Sequence, residues 1–202
     1  MNLLNCKYCG NAAVYRCGGC GTLVCEGHAK QRIICPSCLA KNKARHVVKR
    51  LSSKREKEEI REFVRRFWGE EEQLTFDRRF NVSEQLAYVA KIGRKTAGFV
   101  SFAKDEDNLI IIALGVRPEY QGSGIGNTLI GKVEAEARGS RNRKLLVSTS
   151  NDNLPALAFY QSLGFQIFAV KPNVIAEKHG QILPGIGGLP VRDELRMQKI
   201  LD

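Results

Sequence analysis

The sequence predicts an α+β protein in two parts, a small cysteine-rich head over residues 1–42 and a larger domain of sheet and helix over residues 43–202. Three observations carry this prediction. All seven cysteines lie before residue 39. Behind them, short apolar or alternating runs bounded by turn residues interleave with stretches of 3.6-residue apolar spacing. One junction between such stretches, residues 115–128 (Gly-Val-Arg-Pro-Glu-Tyr-Gln-Gly-Ser-Gly-Ile-Gly-Asn-Thr), joins an apolar strand to an amphipathic helix through a glycine-rich turn. A chain of 202 residues is long enough for one small and one medium domain, and 43% hydrophobic content suits a globular protein. It offers neither an apolar run that would span a bilayer nor a signal-peptide core, so a cytoplasmic location is the default expectation.

The head comes first. Its ligand-type residues fall in four pairs with two-residue gaps: Cys6 and Cys9, Cys17 and Cys20, Cys25 and His28, Cys35 and Cys38. A two-residue gap lets a tight turn aim both side chains at one ion, and eight ligands suit two tetrahedral zinc ions. A disulfide framework fits less well, because seven is odd and the eighth position is a histidine at ligand spacing. A segment this short cannot bury enough surface to fold without such a cross-link. With every ligand position filled, both ions read as structural.

Formal net charge is +11, and residues 1–50 hold nine Lys and Arg against the single acid Glu26. A basic head favours acidic partners, nucleic acid among them, although a solvated basic face has the same composition. The domain boundary is set within a short basic linker, residues 39–45.

In the larger domain, residues 46–51 read as a first strand. Ser53 stands three before Glu56, a capping box that opens a helix with the apolar stripe Ile60, Phe63, Val64, Phe67 and Trp68. Residues 69–82 read as irregular. Residues 85–92 and 96–103 form a hairpin about Gly93-Arg94-Lys95, and residues 109–116 supply the next, apolar strand. The glycine turn follows, then a helix to about Arg138 with Ile125, Leu129, Ile130, Val133 and Ala137 on one face. Residues 144–149 are a strand, 154–163 a helix, 165–171 a strand, 177–190 a Gly/Pro-rich loop, and 194–201 the closing strand.

The glycine turn is an anion cradle by construction. Glycines let the backbone approach a ligand closely, and the first turn of the helix leaves amides unpaired at its positive end. Gly122, Ser123, Gly124, Ile125 and Gly126 would offer those amides to a phosphate. The spacing departs from the dinucleotide fingerprint, and Asn127 stands where a P-loop needs Lys. A second stretch runs Asn153-Leu-Pro-Ala-Leu-Ala-Phe-Tyr160-Gln-Ser-Leu-Gly164-Phe165, with Asn153 at a helix start and Gly164 at its end.

Gln121-x-x-Gly124-x-Gly126 resembles the signature of the GCN5-related N-acetyltransferases (GNAT). The second stretch resembles that family's Asn-x-x-Ala-x-x-Phe/Leu-Tyr-x-x-x-Gly-Phe block, and the order of elements from about residue 45 onward matches its fold. The resemblance implies a mixed, mostly antiparallel sheet flanked by helices, and acetyl-coenzyme A bound through Val116, Gln121, Gly122, Ser123, Gly124, Ile125, Gly126 and Asn153. It implies a gap between strands 109–116 and 144–149 for the pantetheine arm, and Tyr160 as general acid to the departing thiolate. The head's spacing resembles the B-box zinc finger, a cross-brace. That resemblance implies one ion on Cys6, Cys9, Cys25 and His28 and a second on Cys17, Cys20, Cys35 and Cys38, though Cys35 and Cys38 replace the usual histidines.

The expected activity is acetyl transfer to an amine, on a protein substrate, with the head recruiting the acceptor or a partner. The rival reading is a non-catalytic acetyl-coenzyme A-binding adaptor. The general base is open: Ile110 and Ser148 occupy positions where relatives carry Glu, Glu119 reads as a surface carboxylate, and a water chain or an already neutral amine would also serve. His179 and Gln181 are candidates to line the acceptor pocket.

Overall fold

A computed structural model describes residues 5–13, 15–16, 23–28 and 46–201. In the head, β1 (Tyr15–Arg16) pairs antiparallel with β2 (Leu23–Val24), and a 3-10 turn covers Glu26–His28. The ligand positions Cys17, Cys20, Cys35 and Cys38 and the linker lie outside the described residues.

The larger domain runs β3 (Val47–Arg50), α1 (Lys54–Trp68), β4 (Glu72–Thr75), β5 (Arg78–Asn81), β6 (Leu86–Ile92), β7 (Lys95–Asp105), β8 (Asn108–Val116), α2 (Ile125–Gly139), β9 (Lys144–Ser150), α3 (Leu154–Ser162), β10 (Gln166–Lys171), α4 (Val174–His179), β11 (Leu183–Pro184), β12 (Pro190–Val191) and β13 (Glu194–Ile200). Seven strands form one sheet in the order β10-β13-β9-β8-β7-β6-β3. Every neighbouring pair is antiparallel except β8 and β9, which α2 connects as a parallel crossover.

Each face of the sheet is covered. The α2 stripe, Ile125, Leu129, Ile130, Val133 and Ala137, is fully buried with Val100, Phe102, Leu109 and Ile111 on one side. Ile60, Phe63 and Val64 of α1 pack with Val89, Phe99 and Ile110 on the other. The side chains of Phe67 and Trp68 lie outside the described residues. Phe63 comes so close to β8 that a Cβ on Gly115 would lie 2.6 Å from its ring.

The start of α1 follows the expected capping logic with one difference. Ser53 Oγ accepts from the Glu56 amide at 3.2 Å, but Glu56 Oε2 accepts from Ser52 rather than Ser53. Its other oxygen meets Lys49 Nζ at 2.6 Å. Burial pushes the Glu56 carboxyl up, yet Lys49, the Ser52 amide and Lys91 together hold it below its ordinary 4.5. Its stabilisation is therefore complete above that value and is lost as pH falls through the depressed folded-state value. Glu56→Gln is expected to cost about 2 kcal/mol at pH 7. Urea midpoints should show that gap between wild type and variant closing in strong acid.

Two stretches differ from the sequence expectation. Residues 72–81, expected irregular, form the β4–β5 hairpin. Its tip, Phe76 and Asp77, takes positive φ angles. Long-range bonds hold it: the Phe76 amide donates to Glu194 Oε1 at 3.1 Å, and Asp77 pairs with Arg196 at 2.7 Å. Residues 177–190, expected as a loop, contain the end of α4 and the small β11–β12 pair.

Candidate active site

The sheet opens where the chemistry was expected. β8 pairs with β9 only from Asn108 to Ile111, opposite Lys144 to Val147. Beyond that point the strands separate. The cause is visible on the other edge of β8: Phe102 faces Ile111 and Ser101 faces Ala113, which leaves Ile112 as an extra, bulged residue. A bulge bends its strand and increases the twist. Alternation breaks at the same place, since Ile112 and Ala113 are buried in the same cluster. The β9-facing edge of β8 past Ile111 thus presents main-chain donors and acceptors that β9 does not satisfy.

A cavity of about 840 Å³ occupies this opening. Its walls are Ile112–Leu114 of β8, Val147–Ser150 of β9, and Asn153, Ala156 and Tyr160 of the α3 region. Its outer rim is formed by Glu70, Gln73, Leu74 and Thr75, by Ile175, Lys178 and His179 of α4, and by residues 184–186 with Val191. Lys178 forms an ion pair with Glu70, tying α4 to the hairpin side of the rim. Thr75 and Ser148 are hydrogen-bonded across the cavity wall at 2.6 Å.

Tyr160 is 6% exposed and reaches this cavity, with Phe159 and Phe165 edge-on around its ring. Burial pushes its hydroxyl above the ordinary value of 10, so it stays protonated at any physiological pH. Asn153 also lines the cavity, and its Oδ1 caps α3 by accepting from the Ala156 amide at 3.2 Å. Of the two acceptor-pocket candidates, His179 lines the cavity and Gln181 does not.

The glycine turn follows directly on this open end of β8, after Val116. Gly122 and Gly124 have φ of 79° and 85°, and Gly124 is exposed as the N-cap of α2 with no side chain capping the helix. The first bond into the helix runs from Thr128 N to Gly124 O. The amides of Gly124, Ile125, Gly126 and Asn127 are therefore the helix's orphan donors, and no acid sits in this turn. A Cβ on Gly126 would lie 3.1 Å from the Phe159 ring, a tight contact that the ring would have to yield to by a few tenths of an ångström. Ser123 departs from the expected cradle: its amide and its hydroxyl both turn to Tyr120 O. Gln121 Nε2 donates to Val116 O at 3.2 Å, which closes the turn back onto the end of β8.

None of the positions where a base was sought supplies a carboxylate to the cavity. Ile110 is buried in the core, Ser148 is bonded to Thr75, and Glu119 is exposed and outside the cavity. Sequence reasoning missed Asp152, a 6%-exposed carboxylate in the cavity wall. In the sequence it is only a polar residue ahead of a helix cap, which gives no signal of burial.

The head brings Cys6, Cys9, Cys25 and His28 together, with their ligand atoms all within 4.8 Å of one another. Cys9 Sγ and Cys25 Sγ are 3.6 Å apart, and Cys25 Sγ is 3.3 Å from His28 Nδ1. A tetrahedral zinc ion with bonds of about 2.3 Å to sulfur and 2.0 Å to nitrogen sets such separations at roughly 3.5–3.8 Å. A disulfide would need sulfurs about 2.05 Å apart. Burial pushes the Cys6 thiol up, but backbone donors from Cys25, Tyr8 and Cys9 outweigh it and pull it down to about 6. The Asn11 amide lowers the Cys9 thiol, yet burial with Cys25 and Cys6 pushes it above its ordinary value. Four ligand-type atoms gathered this closely fit a divalent cation.

Comparison with known proteins agrees with this geometry. The model of the acetyltransferase (GNAT) family matches residues 55–165. YdhI of Bacillus subtilis (strain 168) is 30% identical over 149 residues, covering 71% of this chain and 91% of that protein. An IAA acetyltransferase from Bacillus cereus ATCC 14579 superposes with a TM-score of 0.65 at 26% identity, over 78% of this chain and 100% of that one. A Bacillus subtilis acetyltransferase solved in complex with CoA gives 0.60 at 17% identity, over 78% and 100%. Among the described residues, no helix is long and apolar enough to cross a membrane. With its family match over more than half its length and its sheet opened beside an uncapped glycine turn, the chain belongs to the acetyltransferase (GNAT) family and is an acetyl-coenzyme A-dependent N-acetyltransferase.

Proposed function

We propose that this enzyme acetylates an amine carried on a protein, in the cytoplasm, and that its head is a zinc-bound module that brings the acceptor or a partner to the site. The observation that carries the catalytic part is the separation of β8 from β9 past Ile111, with the glycine turn at the end of β8 and Tyr160 in the cavity. The diphosphate of acetyl-coenzyme A sits on the amides of Gly124, Ile125 and Gly126, with Gly122 and Ser123 shaping the turn and Gln121 fixing its entry. The pantetheine arm lies along the open edge of β8 toward Asn153. Main-chain donors between Ile112 and Val116 face the thioester oxygen, where charge grows during attack. Gly124→Ala strains a left-handed position by about 1–2 kcal/mol and puts a methyl group in the cradle. It is expected to weaken acetyl-coenzyme A binding at least ten-fold by calorimetry.

The amine, once neutral, attacks the thioester carbon directly and forms the carbon–nitrogen bond, the carbon–sulfur bond breaks, the nitrogen gives up a proton to water, and the sulfur receives one. The larger domain, residues 43–202, contains no cysteine to carry an acyl group. A thiol titrates near 8.5 and a phenol near 10, and burial raises Tyr160 further. Complete proton transfer from Tyr160 to a solvated thiolate is therefore uphill. Its contribution is a hydrogen bond to the sulfur as charge develops, with transfer as the thiolate is desolvated.

In the head, residues 1–42, Cys6, Cys9, Cys25 and His28 hold one zinc ion, and Cys17, Cys20, Cys35 and Cys38 hold a second in a B-box-like cross-brace. Zinc there supplies a structural cross-link. The basic composition of the head suits an acidic partner surface, on a protein or a nucleic acid.

Mass spectrometry of acetyl transfer to a peptide library tests the reading, with Tyr160→Phe alongside. Modified amine-bearing peptides support it. If acetyl-coenzyme A binds and no amine is acetylated, the adaptor reading replaces it, as the lack of a carboxylate at Ile110 and Ser148 would favour.

A further inference from the structure

Three consecutive side chains lead from β9 into α3, and two of them have their oxygens filled by main-chain amides. Asn151 Oδ1 accepts from Arg192 and Asp193, each at 2.9 Å. Asn153 Oδ1 accepts from Ala156 at 3.2 Å. Asp152, between them, is different. Its Oδ2 accepts from the Ile186 amide at 3.1 Å, while its Oδ1 is buried with no partner among the described residues.

The carboxylate is held in place. A Cβ on Gly185 would lie 2.4 Å from Oδ2 and 2.6 Å from Cγ, so the 185–186 loop sits tightly against it. The other charged groups at this cavity do not answer it, since Lys178 is engaged by Glu70. Thr75 and Ser148 are bonded to each other. A buried carboxylate oxygen without a donor is unfavourable, and such an atom in a cavity wall marks a place for a ligand's N–H.

We propose that Asp152 is the acceptor-binding residue: its Oδ1 takes an N–H of a cationic primary amine that enters between the β4–β5 hairpin and α4. This inference rests on the acetyltransferase reading and deepens it. It selects amines over neutral alcohols of the same shape, because an ammonium adds a full charge–charge attraction to its hydrogen bond with the buried carboxylate, and a neutral hydroxyl offers only the hydrogen bond. Gly185 is required for the same reason, as any side chain there pushes the carboxylate aside.

The test uses the full-length protein saturated with coenzyme A and labelled with ¹³C at the aspartate carboxyls. Butylamine and 1-butanol are titrated in turn, then Ala-Ala-Ala with a free or an acetylated N-terminus. The Asp152 resonance should move saturably with butylamine and with the free tripeptide, and by less than a tenth as much with the neutral partners. Asp152→Asn should bind butylamine at least ten-fold more weakly while coenzyme A affinity stays within two-fold. An Asp152 resonance that ignores the amine, or responds equally to butanol, overturns the proposal, as does an unchanged butylamine affinity in Asp152→Asn. If the variant loses coenzyme A binding through misfolding, the wild-type titration decides alone. Failure of wild-type protein to bind coenzyme A would instead overturn the reading of the cradle, a separate result from silence at Asp152.

Discussion

Tyr160→Phe is expected to lower kcat about 100-fold, the usual contribution of a positioned acid, with acetyl-coenzyme A affinity unchanged. The substitution removes one oxygen and keeps the ring. Phe159 and Phe165 retain their edge-on contacts, so packing is preserved. A hydroxyl whose ionisation is pushed above its ordinary 10 by burial does not titrate between pH 6 and about 9.5. The wild-type rate should therefore rise with pH as the acceptor amine loses its proton, with no fall from Tyr160 over that window. The variant should show the same curve, displaced downward. Stopped-time assays across pH with a fixed amine acceptor would measure this. A kcat within two-fold of wild type would remove Tyr160 from the chemistry.

Removing metal should have the largest structural effect, and it should be confined to the head. Structural zinc binding is worth about 10–16 kcal/mol at neutral pH in small domains of this type, and that energy is their folding energy. A strong chelator, or Cys25→Ser, is expected to unfold the head and to release zinc, about two ions per chain for the chelator. Cys25 is chosen because it stands 3.6 Å from Cys9 Sγ and 3.3 Å from His28 Nδ1, at the centre of the set. The sheet domain has its own buried core on both faces. Its urea midpoint and its acetyl-coenzyme A affinity should stay unchanged. Elemental analysis, limited proteolysis and calorimetry on the same sample would separate these outcomes. A head that resists protease without metal would contradict the zinc assignment.

What could be read in advance was what local pattern encodes. The α2 face showed itself at 3.6-residue spacing, and every one of its five apolar positions is buried. The strand–glycine–helix junction and Tyr160 rest on short stretches whose geometry is set by neighbouring residues. Cys6, Cys9, Cys25 and His28 were legible through their two-residue gaps. The β4–β5 hairpin was not, since Glu72-Gln-Leu-Thr and Arg78-Arg-Phe-Asn lack alternation and the hairpin is held by Glu194, Arg196 and Ser148 from distant strands. Helix α4 was hidden because it has only six residues, begins after a left-handed Asn173 without a side-chain cap, and precedes Gly and Pro. Asp152 depends on the closing of a loop 34 residues away, which no local pattern records.

The open edge of β8 and the uncapped start of α2 together form the central claim, and backbone amide NMR reaches it most directly. Acetyl-coenzyme A is titrated into ¹⁵N-labelled protein, with dephosphorylated pantetheine as the diphosphate-free control. Large, saturable shifts of the Gly124, Ile125 and Gly126 amides should appear with acetyl-coenzyme A and be absent with pantetheine, while residues 112–116 respond to both. Tight binding of acetyl-coenzyme A that leaves those three amides unmoved would contradict the account.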